Sequence, residues 1–503
     1  MAVRRFCLAE ACRLLSVLAN SMNIGHMTLV WVFVLVSSSA WSDVFVHWTG
    51  ASLPPAKELG LKNLVLSWND KVPAQVKAAR RQGYRVYVEV PLAQAAVAAE
   101  TGARDLDGVI LTVRQSERAE LEKSLPQLRS AHPKLKFVVL NPDGKQPNMR
   151  GSLVIKRGAV LEVSSPTAQP WIDTNLALVK VEQRSHLGQV PLYTFLWGES
   201  SDSGQQQSAP TAADYSLAVA EAGAFHADLI LQLDERLQKA LSKHEPEAWT
   251  LWNQVRSYAS FYSDSAEQGM EAAANVAVVV DELDPTDEVM NLLARHNLPF
   301  TVLGPSDLKS GDLKGFDVVV VFAKPDRGAG ERIAELATHG KVVVLVDAHG
   351  SYPWQSREAV RLNEQTVSYA LGSGRVLELS ESVTDPETFA QDIRRLLGRE
   401  NVLLGLWNGL TTIAVPYREH GGTVKVLEFV NYAEEPLRVQ VQVKGSFASI
   451  RYETPEHRCC ESLVPIKHNG FTEFVIPELR IAGRVHLDAN HTIDSRATEA
   501  SPR

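Results

Sequence analysis

Cysteine is scarce: the chain has 4 in 503 residues, namely Cys7, Cys12 and the adjacent pair Cys459 and Cys460. No CxxC or HExxH spacing occurs, so no motif for a zinc centre is present and no metal is expected. Neighbouring cysteines do not form a disulfide of ordinary geometry, and the pair is expected as two thiols at a strand end, with a strained vicinal disulfide as the alternative. A full GxGxxG, a P-loop and a cysteine at a strand-to-helix elbow are also lacking. Dinucleotide and nucleotide sites and a glutaminase-type nucleophile therefore have no support, and no organic cofactor is expected. Positive charge is not in excess either: 51 Lys and Arg stand against 59 Asp and Glu, for a formal charge of −8. Such a chain offers no basic surface for neutralising phosphates, so nucleic acid is not an expected partner. Internal repeats and low-complexity tracts are missing as well.

Long apolar runs are equally rare. The strongest, from Met27 to Ser42, has an apolar core of roughly ten residues, too short for a comfortable membrane span. Arg4, Arg5 and Arg13 precede it, and Ala40 and Ser42 occupy the positions a signal peptidase reads. Residues 1–42 are accordingly read as a signal peptide, with Met22 and Met27 as alternative starts. This implies a secreted or periplasmic protein with no stable membrane span after cleavage.

What is present is an ordinary globular composition, with 45% hydrophobic and 22% charged residues. The chain is too long for one hydrophobic core, and two or three domains are expected. From Asp43 onward, apolar runs alternate with helical stretches, the pattern of a parallel sheet. Strands are expected near 44–48, 63–68, 85–90, 108–113, 136–141, 159–163, 191–197 and 227–233. Eight strand-and-helix units in the span 43–265 are close to the usual size of a (β/α)8 barrel. The aromatic stripe Trp249, Trp252, Tyr258 and Phe261 that follows has helical spacing and reads as a packing face.

A second set of strands near 275–281, 299–304, 317–323, 341–347 and 375–380 alternates with helices. Residues 275–400 are therefore expected to form a flavodoxin-like, doubly wound α/β domain. From 403 to 489 the helical period gives way to period-two runs such as TVKVLEFVNY and LRVQVQVKG, the mark of a small antiparallel β-sandwich. The polar tail 490–503 is expected to be disordered.

The stretch GAVLEVSSPTAQPWIDTN, 158–175, draws the chemistry to the barrel. An apolar run ends at Glu162, passes a loop with two prolines and Trp171, and reaches a helix start at Asp173, which serves equally as a simple helix cap. Other strand ends carry carboxylates too. Glu89 ends the third strand on the parity of Tyr87, and Glu199 follows the seventh. Cleavage of a glycosidic bond needs one protonated and one ionised carboxyl group. Glu162, Glu199 and Glu89 are the candidates, with either Glu89 or Glu199 as partner to Glu162. His47, Trp48, Trp68, Asn141, Trp171, Asp173 and Trp197 fall at or just after strand ends, where flat faces and polar groups suit a sugar ring.

Barrel, doubly wound domain and sandwich in this order resemble the multidomain glycoside hydrolases, most nearly the layout of family 42 β-galactosidases. The phrase EFVNYAEEPLRVQVQVKG looks like the opening of the sandwich that trails such barrels. The resemblance implies a carbohydrate substrate and self-assembly through the middle domain. It stops at the catalytic motif, because the fourth strand ends Leu111-Thr112-Val113-Arg114 where that clan carries an Asn-Glu pair. Trp197-Gly198-Glu199 matches the nucleophile position. The barrel is also similar to the α-polygalactosaminidase type, in which Asn-Pro follows strand five, as Asn141-Pro142 does, and a Glu ends strand six, as Glu162 does. A secreted glycoside hydrolase is the expected function. The alternative is a glycan-binding or scaffold protein on a barrel that has lost catalysis.

Overall fold

The computed structural model describes residues 42–50, 52–69, 71–102, 104–140, 174–184, 190–194, 209–263, 269–281, 286–433 and 435–489. Seven of its strands form a closed parallel barrel: β1 (Val44–His47), β2 (Asn63–Ser67), β3 (Arg85–Pro91), β4 (Gly108–Thr112), β5 (Lys136–Leu140), β6 (Leu192–Thr194) and β7 (Asp228–Gln232). β7 returns to β1, and β5 pairs directly with β6 through Leu140 and Leu192. Seven strands thus close the wall among the described residues where eight were expected. The expected strand at 159–163 lies outside the described residues, and the neighbour of β5 in the wall is β6.

Alternation along each strand divides the barrel into two apolar layers, because successive side chains point to opposite faces. Phe45, Val65, Tyr87, Ile110, Val138, Leu192 and Ile230, one from each strand, fill the interior together with Leu140. The residues out of phase with them, such as Val46, Leu64, Val88 and Val109, pack under the surrounding helices. Those helices carry local signals that start them. Thr211 and Asp214 form a capping box at the helix Ala212–Ala224, and Asp234 caps Glu235–Ser242 by accepting from Arg236 N and Leu237 N. The helix Pro246–Ser263 buries Trp252, Tyr258 and Phe261, the packing face that the aromatic spacing predicts. It approaches the helix Ala212–Ala224 at Gly223, where a Cβ atom would stand 2.2 Å from the Tyr262 ring.

The second sheet holds β9 (Val276–Val279), β10 (Phe300–Leu303), β11 (Val318–Val321), β12 (Val342–Leu345), β13 (Ala359–Arg361), β14 (Thr366–Leu371) and β15 (Gly374–Leu379), after a short β8 (Glu271–Ala272). Its order is β10-β9-β11-β12-β15-β14-β13. The first five in that order run parallel, and β14 and β13 add an antiparallel edge. β11, four valines in a row, is buried throughout, as a parallel strand covered on both faces should be. Sequence reading missed β13 and β14. The turn from β14 into β15 depends on Gly372 at φ +58°, where a Cβ would also meet Thr338 O at 2.3 Å. At the helix Arg327–Thr338 the Asp326 side chain already accepts from Ala329 N, so the Gly328-Ala329-Gly330 turn has a protein carboxylate at its amides.

The last region is antiparallel: β16 (Leu404–Trp407), β17 (Thr412–Arg418), β18 (Val424–Asn431), β19 (Leu437–Lys444), β20 (Phe447–Glu453), β21 (Glu461–Leu463), β22 (Ile466–His468), β23 (Phe471–Leu479) and β24 (Ala482–Ala489). They make a four-stranded sheet, β16-β19-β23-β22, and a six-stranded one, β21-β20-β24-β18-β17-β8. Inward residues of both, including Val439, Val441, Phe474, Leu427, Phe429 and Val485, share one core. β8 precedes the middle sheet in sequence yet pairs with β17. Cys459 and Cys460, expected as thiols, are joined by a disulfide; the turn between β20 and β21 brings the two sulfurs together. Among the described residues no helix is long and apolar enough to cross a membrane.

One apolar core runs from the helices of the barrel through Val276, Val278, Leu292 and Leu293 to Ile413, Val415 and Val430, so the three regions are fused. At their meeting point lies Glu221, fully buried. It accepts from Asn175 N at 2.7 Å, from Asn175 Nδ2 at 3.3 Å and from Thr174 Oγ1 at 3.3 Å. Thr174 Oγ1 shares a 2.9 Å hydrogen bond with Tyr432 OH, and Thr174 N donates to Asn291 Oδ1. Burial pushes the Glu221 carboxyl up to about 7, against the donors that hold it down.

Two outcomes are expected. Adding a methyl at Gly223 overpacks the helix pair, so Gly223→Ala should lower the unfolding free energy by about 1–3 kcal/mol in urea titrations. For Glu221 the folded-state value lies above the ordinary 4.5, so its protonation favours the fold below pH 4.5. Roughly 3 kcal/mol of that stability is lost as the pH rises through 7. Glu221→Gln should make the decline in urea midpoint between pH 5 and pH 8 shallower than in the unsubstituted chain.

Candidate active site at the barrel mouth

The C-terminal rim of a parallel barrel is where its strands deliver side chains to a common opening. Counting in steps of two from the interior layer, the next inward residue is His47 on β1, Ser67 on β2, Glu89 on β3, Thr112 on β4, Thr194 on β6 and Gln232 on β7. Every one is polar, whereas the layer beneath is apolar. Register places Ser67 opposite Glu89 and His47 opposite Gln232. His47 Nε2 and Ser67 Oγ are hydrogen-bonded at 2.9 Å, which ties the rims of β1 and β2.

Glu89 is the one carboxylate in this ring among the described residues, and its side chain has no hydrogen-bond partner among them. Burial raises its carboxyl above the usual range. Burial also lowers His47, favouring neutral imidazole. Burial thus shifts Glu89 towards its acid form, in which a carboxyl can donate a proton to a leaving oxygen, and the hydroxyl and amide groups around it can orient a polyhydroxylated molecule. Asp228, at the opposite end of β7, is a different case: it accepts from Asp43 N at 2.7 Å, and burial raises it to about 8.

Of the two tryptophans beside this ring, Trp48 is a correction. Trp48 is 3% exposed, donates from Nε1 to Ser52 O and belongs to the layer under the helices. Trp68 is half-buried against the same layer. Each follows an inward residue by one position, and a step of one turns a strand side chain to the other face. Trp48, almost wholly buried, presents no face to a ligand in the mouth. Glu162, Glu199, Asn141, Trp171, Asp173 and Trp197 lie outside the described residues. Sequence reading named His47 and Glu89 but missed Ser67, Thr112, Thr194 and Gln232, although the parity that led to Glu89 also marks them.

A closed parallel barrel with a polar C-terminal mouth, followed by a mixed sheet and two antiparallel sheets, defines a TIM-like multidomain protein. No protein-family model matches the sequence, and no curated protein matches it. Among solved structures, the chain is similar to the α-L-fucosidase isoenzyme 2 of Paenibacillus thiaminolyticus. The TM-score is 0.54 at 11% identity, over 90% of this chain and all of that one (100%). An exo-β-1,4-mannosidase from Opitutaceae bacterium strain TAV5 follows at TM-score 0.47 and 10% identity, over 70% and 94% of the two chains. A β-galactosidase from Bacillus circulans sp. alkalophilus stands at TM-score 0.46 and 10% identity, over 86% and 99%. The match to the fucosidase, which covers that protein's whole length, shows the fold: the two chains share a multidomain architecture with a barrel at its start. At such identity no catalytic residue transfers by position.

The raised carboxyl at Glu89 yields a test independent of substrate. An acid whose folded-state value is raised favours the fold when protonated and opposes it when ionised. Glu89→Gln should therefore melt above the unsubstituted chain at pH 7, and the difference should vanish near pH 4, as thermal scans at both pH values would reveal.

Proposed function

We propose that the protein is a glycoside hydrolase-like enzyme that cleaves glycosidic bonds in an oligo- or polysaccharide with two carboxyl groups. The observation that carries this reading is the polar ring at the barrel mouth, with Glu89 desolvated among neutral hydrogen-bonding groups. Glu89 is assigned the proton donor. Glu162, at the end of the apolar sequence run in the 158–175 stretch, is its leading partner, and Glu199 is the alternative. A wide separation of the pair would leave room for water and inversion, a close one would allow retention. His47 and Ser67 bind substrate hydroxyls.

Around this centre we read the remaining expectations as parts of the same proposal. Residues 1–42 direct the chain to the exterior or periplasm, the middle sheet is a flavodoxin-like domain through which copies assemble, and the two antiparallel sheets are a sandwich that supports the barrel. A second reading has one observation in its favour. His47, Ser67, Thr112, Thr194 and Gln232 supply binding groups around a single described carboxylate, which suits a protein that holds a glycan without cleaving it.

Product release by the full chain from a broad panel of fucosides, galactosides, mannosides and polysaccharides separates the two. Release is expected, with kcat/KM reduced about 100- to 10,000-fold in Glu89→Gln, the range typical of a lost general acid. Glu162→Gln should fall at least as far. Retention on an immobilised glycan without release from any substrate would establish the binding protein instead.

A further inference from the structure

The turn between β20 and β21 carries a chemistry that the barrel mouth does not use. Cys459 is exposed and Cys460 half-exposed, and their sulfurs are joined. The Glu453 carboxylate lies beside them, with one ligand atom of each of the three residues within 4.8 Å of the others. Glu453 divides its two oxygens. Oε1 takes Arg484 Nη1 at 3.2 Å and His486 Nε2 at 2.9 Å, while Oε2 faces the Cys459 N–H at 3.4 Å. Glu453 and Cys460 line a cavity of about 460 Å³, with Arg458 and Arg480 at its edge.

The turn is also fixed by contacts other than the disulfide. Tyr258 OH donates to Glu456 Oε1 at 2.6 Å, and Arg458 Nη2 donates to Ser260 Oγ at 2.9 Å. His457 N donates to Thr454 Oγ1, and Thr454 N to His457 O. Opening the sulfur–sulfur bond therefore leaves two thiols on a turn held from both flanks, facing a carboxylate oxygen not used in the Arg484 and His486 contacts. Two sulfurs and one oxygen are a donor set for borderline-soft cations rather than for calcium or magnesium.

We propose that Cys459 and Cys460 in their reduced state, with Glu453, form a binding site for one thiophilic divalent cation of the zinc or cadmium type. Reduction by a dithiol breaks the sulfur–sulfur bond. Two electrons and two protons pass to the cysteines, and the reagent closes to its own disulfide. Binding then releases the two thiol protons as the cation takes both sulfurs, and Arg458 and Arg480 offset the negative charge of the ligands. The disulfide is thus a lock on a metal site, open only under reducing conditions.

The test titrates cadmium chloride into the full chain, reduced with a dithiol and freed of it under anaerobic conditions, and follows sulfur-to-cadmium charge-transfer absorption in the near ultraviolet. About one ion per chain is expected for the reduced form and none for the oxidised form. The Cys459→Ser, Cys460→Ser double variant should show no band, and Glu453→Gln should bind about tenfold more weakly. Thermal unfolding of each variant checks that it is folded, and Cys460→Ser alone gives a second, milder loss of one ligand. No band from the reduced chain, an equal band from the oxidised chain, a band surviving in the double variant, or unchanged affinity in Glu453→Gln would overturn the site.

Discussion

The buried carboxyl of Glu221 is the constraint on which the domain arrangement turns. It projects from a barrel helix, takes the backbone and side chain of Asn175 and the hydroxyl of Thr174, and through Thr174 reaches Tyr432 of the antiparallel region and Asn291 of the middle domain. An acid with no water around it must satisfy its oxygens from the protein, and the donors come from elements that have to be docked to supply them. Docking and satisfaction are therefore one event. Neighbouring contacts act in the same direction: Arg184 Nη1 donates to Val280 O and Leu303 O, Tyr417 OH to Ala224 O, and Asn297 Nδ2 to Thr412 O.

A second polar cluster fixes the other side of the barrel. Arg484 is buried, pairs with Glu428 at 2.5 Å and Glu453 at 3.2 Å, and lays its guanidinium 4.4 Å from the Phe261 ring centre. Burial alone would raise Glu453, but His486 and Arg484 hold it at about 2. Its contribution is present above pH 4.5 and fades as the pH falls towards 2, the opposite sense to Glu221. The two clusters thus respond in opposite senses: strong acid weakens the Arg484 cluster, and the rise from pH 4.5 to about 7 weakens the Glu221 node. Buried ion pairs contribute little net stability against apolar substitutes, yet losing one partner strands a charge. Their consequence here is fixed orientation of the helix Pro246–Ser263 against β24.

The sequence made the large divisions legible because each has its own periodicity. Parallel strands buried on both faces read as unbroken valine runs, as in β11, and half-buried antiparallel strands alternate, as LRVQVQVK does in β19. What failed depended on information that periodicity does not hold. The strand count of the barrel wall turned on whether β5 meets β6, a pairing between residues 52 positions apart by the register Leu140 to Leu192. β13 and β14 were hidden because their edge position leaves much of them exposed, without the apolar run that marked their neighbours. Trp48 departs from its expected place because nearness to a strand end does not decide which face a side chain takes; parity does. At the site, parity was the stronger guide: it joined Glu89 to Tyr87 and extends without change to Ser67, Thr112 and Gln232.

The composition of that ring also bears on why the mouth is a site and not merely a rim. A barrel interior is most stable when its layers are apolar and closely packed, as the layer of Phe45, Val65, Tyr87 and Ile110 is. One step further along the strands, six of the seven carry polar side chains at the inward position. Among them is a carboxyl whose partial burial opposes its ionisation. Local arrangements that lower stability are retained where they perform a task, and perturbed carboxyls concentrate at such places. Asp228 shows the contrast within the same barrel: it is buried more deeply, but its oxygen is occupied by the Asp43 N–H, which closes the wall at its N-terminal end. Glu89 has the perturbation without such an occupation among the described residues, and it faces the opening. That combination supports the proposed role of Glu89 as proton donor, because a carboxyl without a protein partner keeps its proton available to a bound molecule.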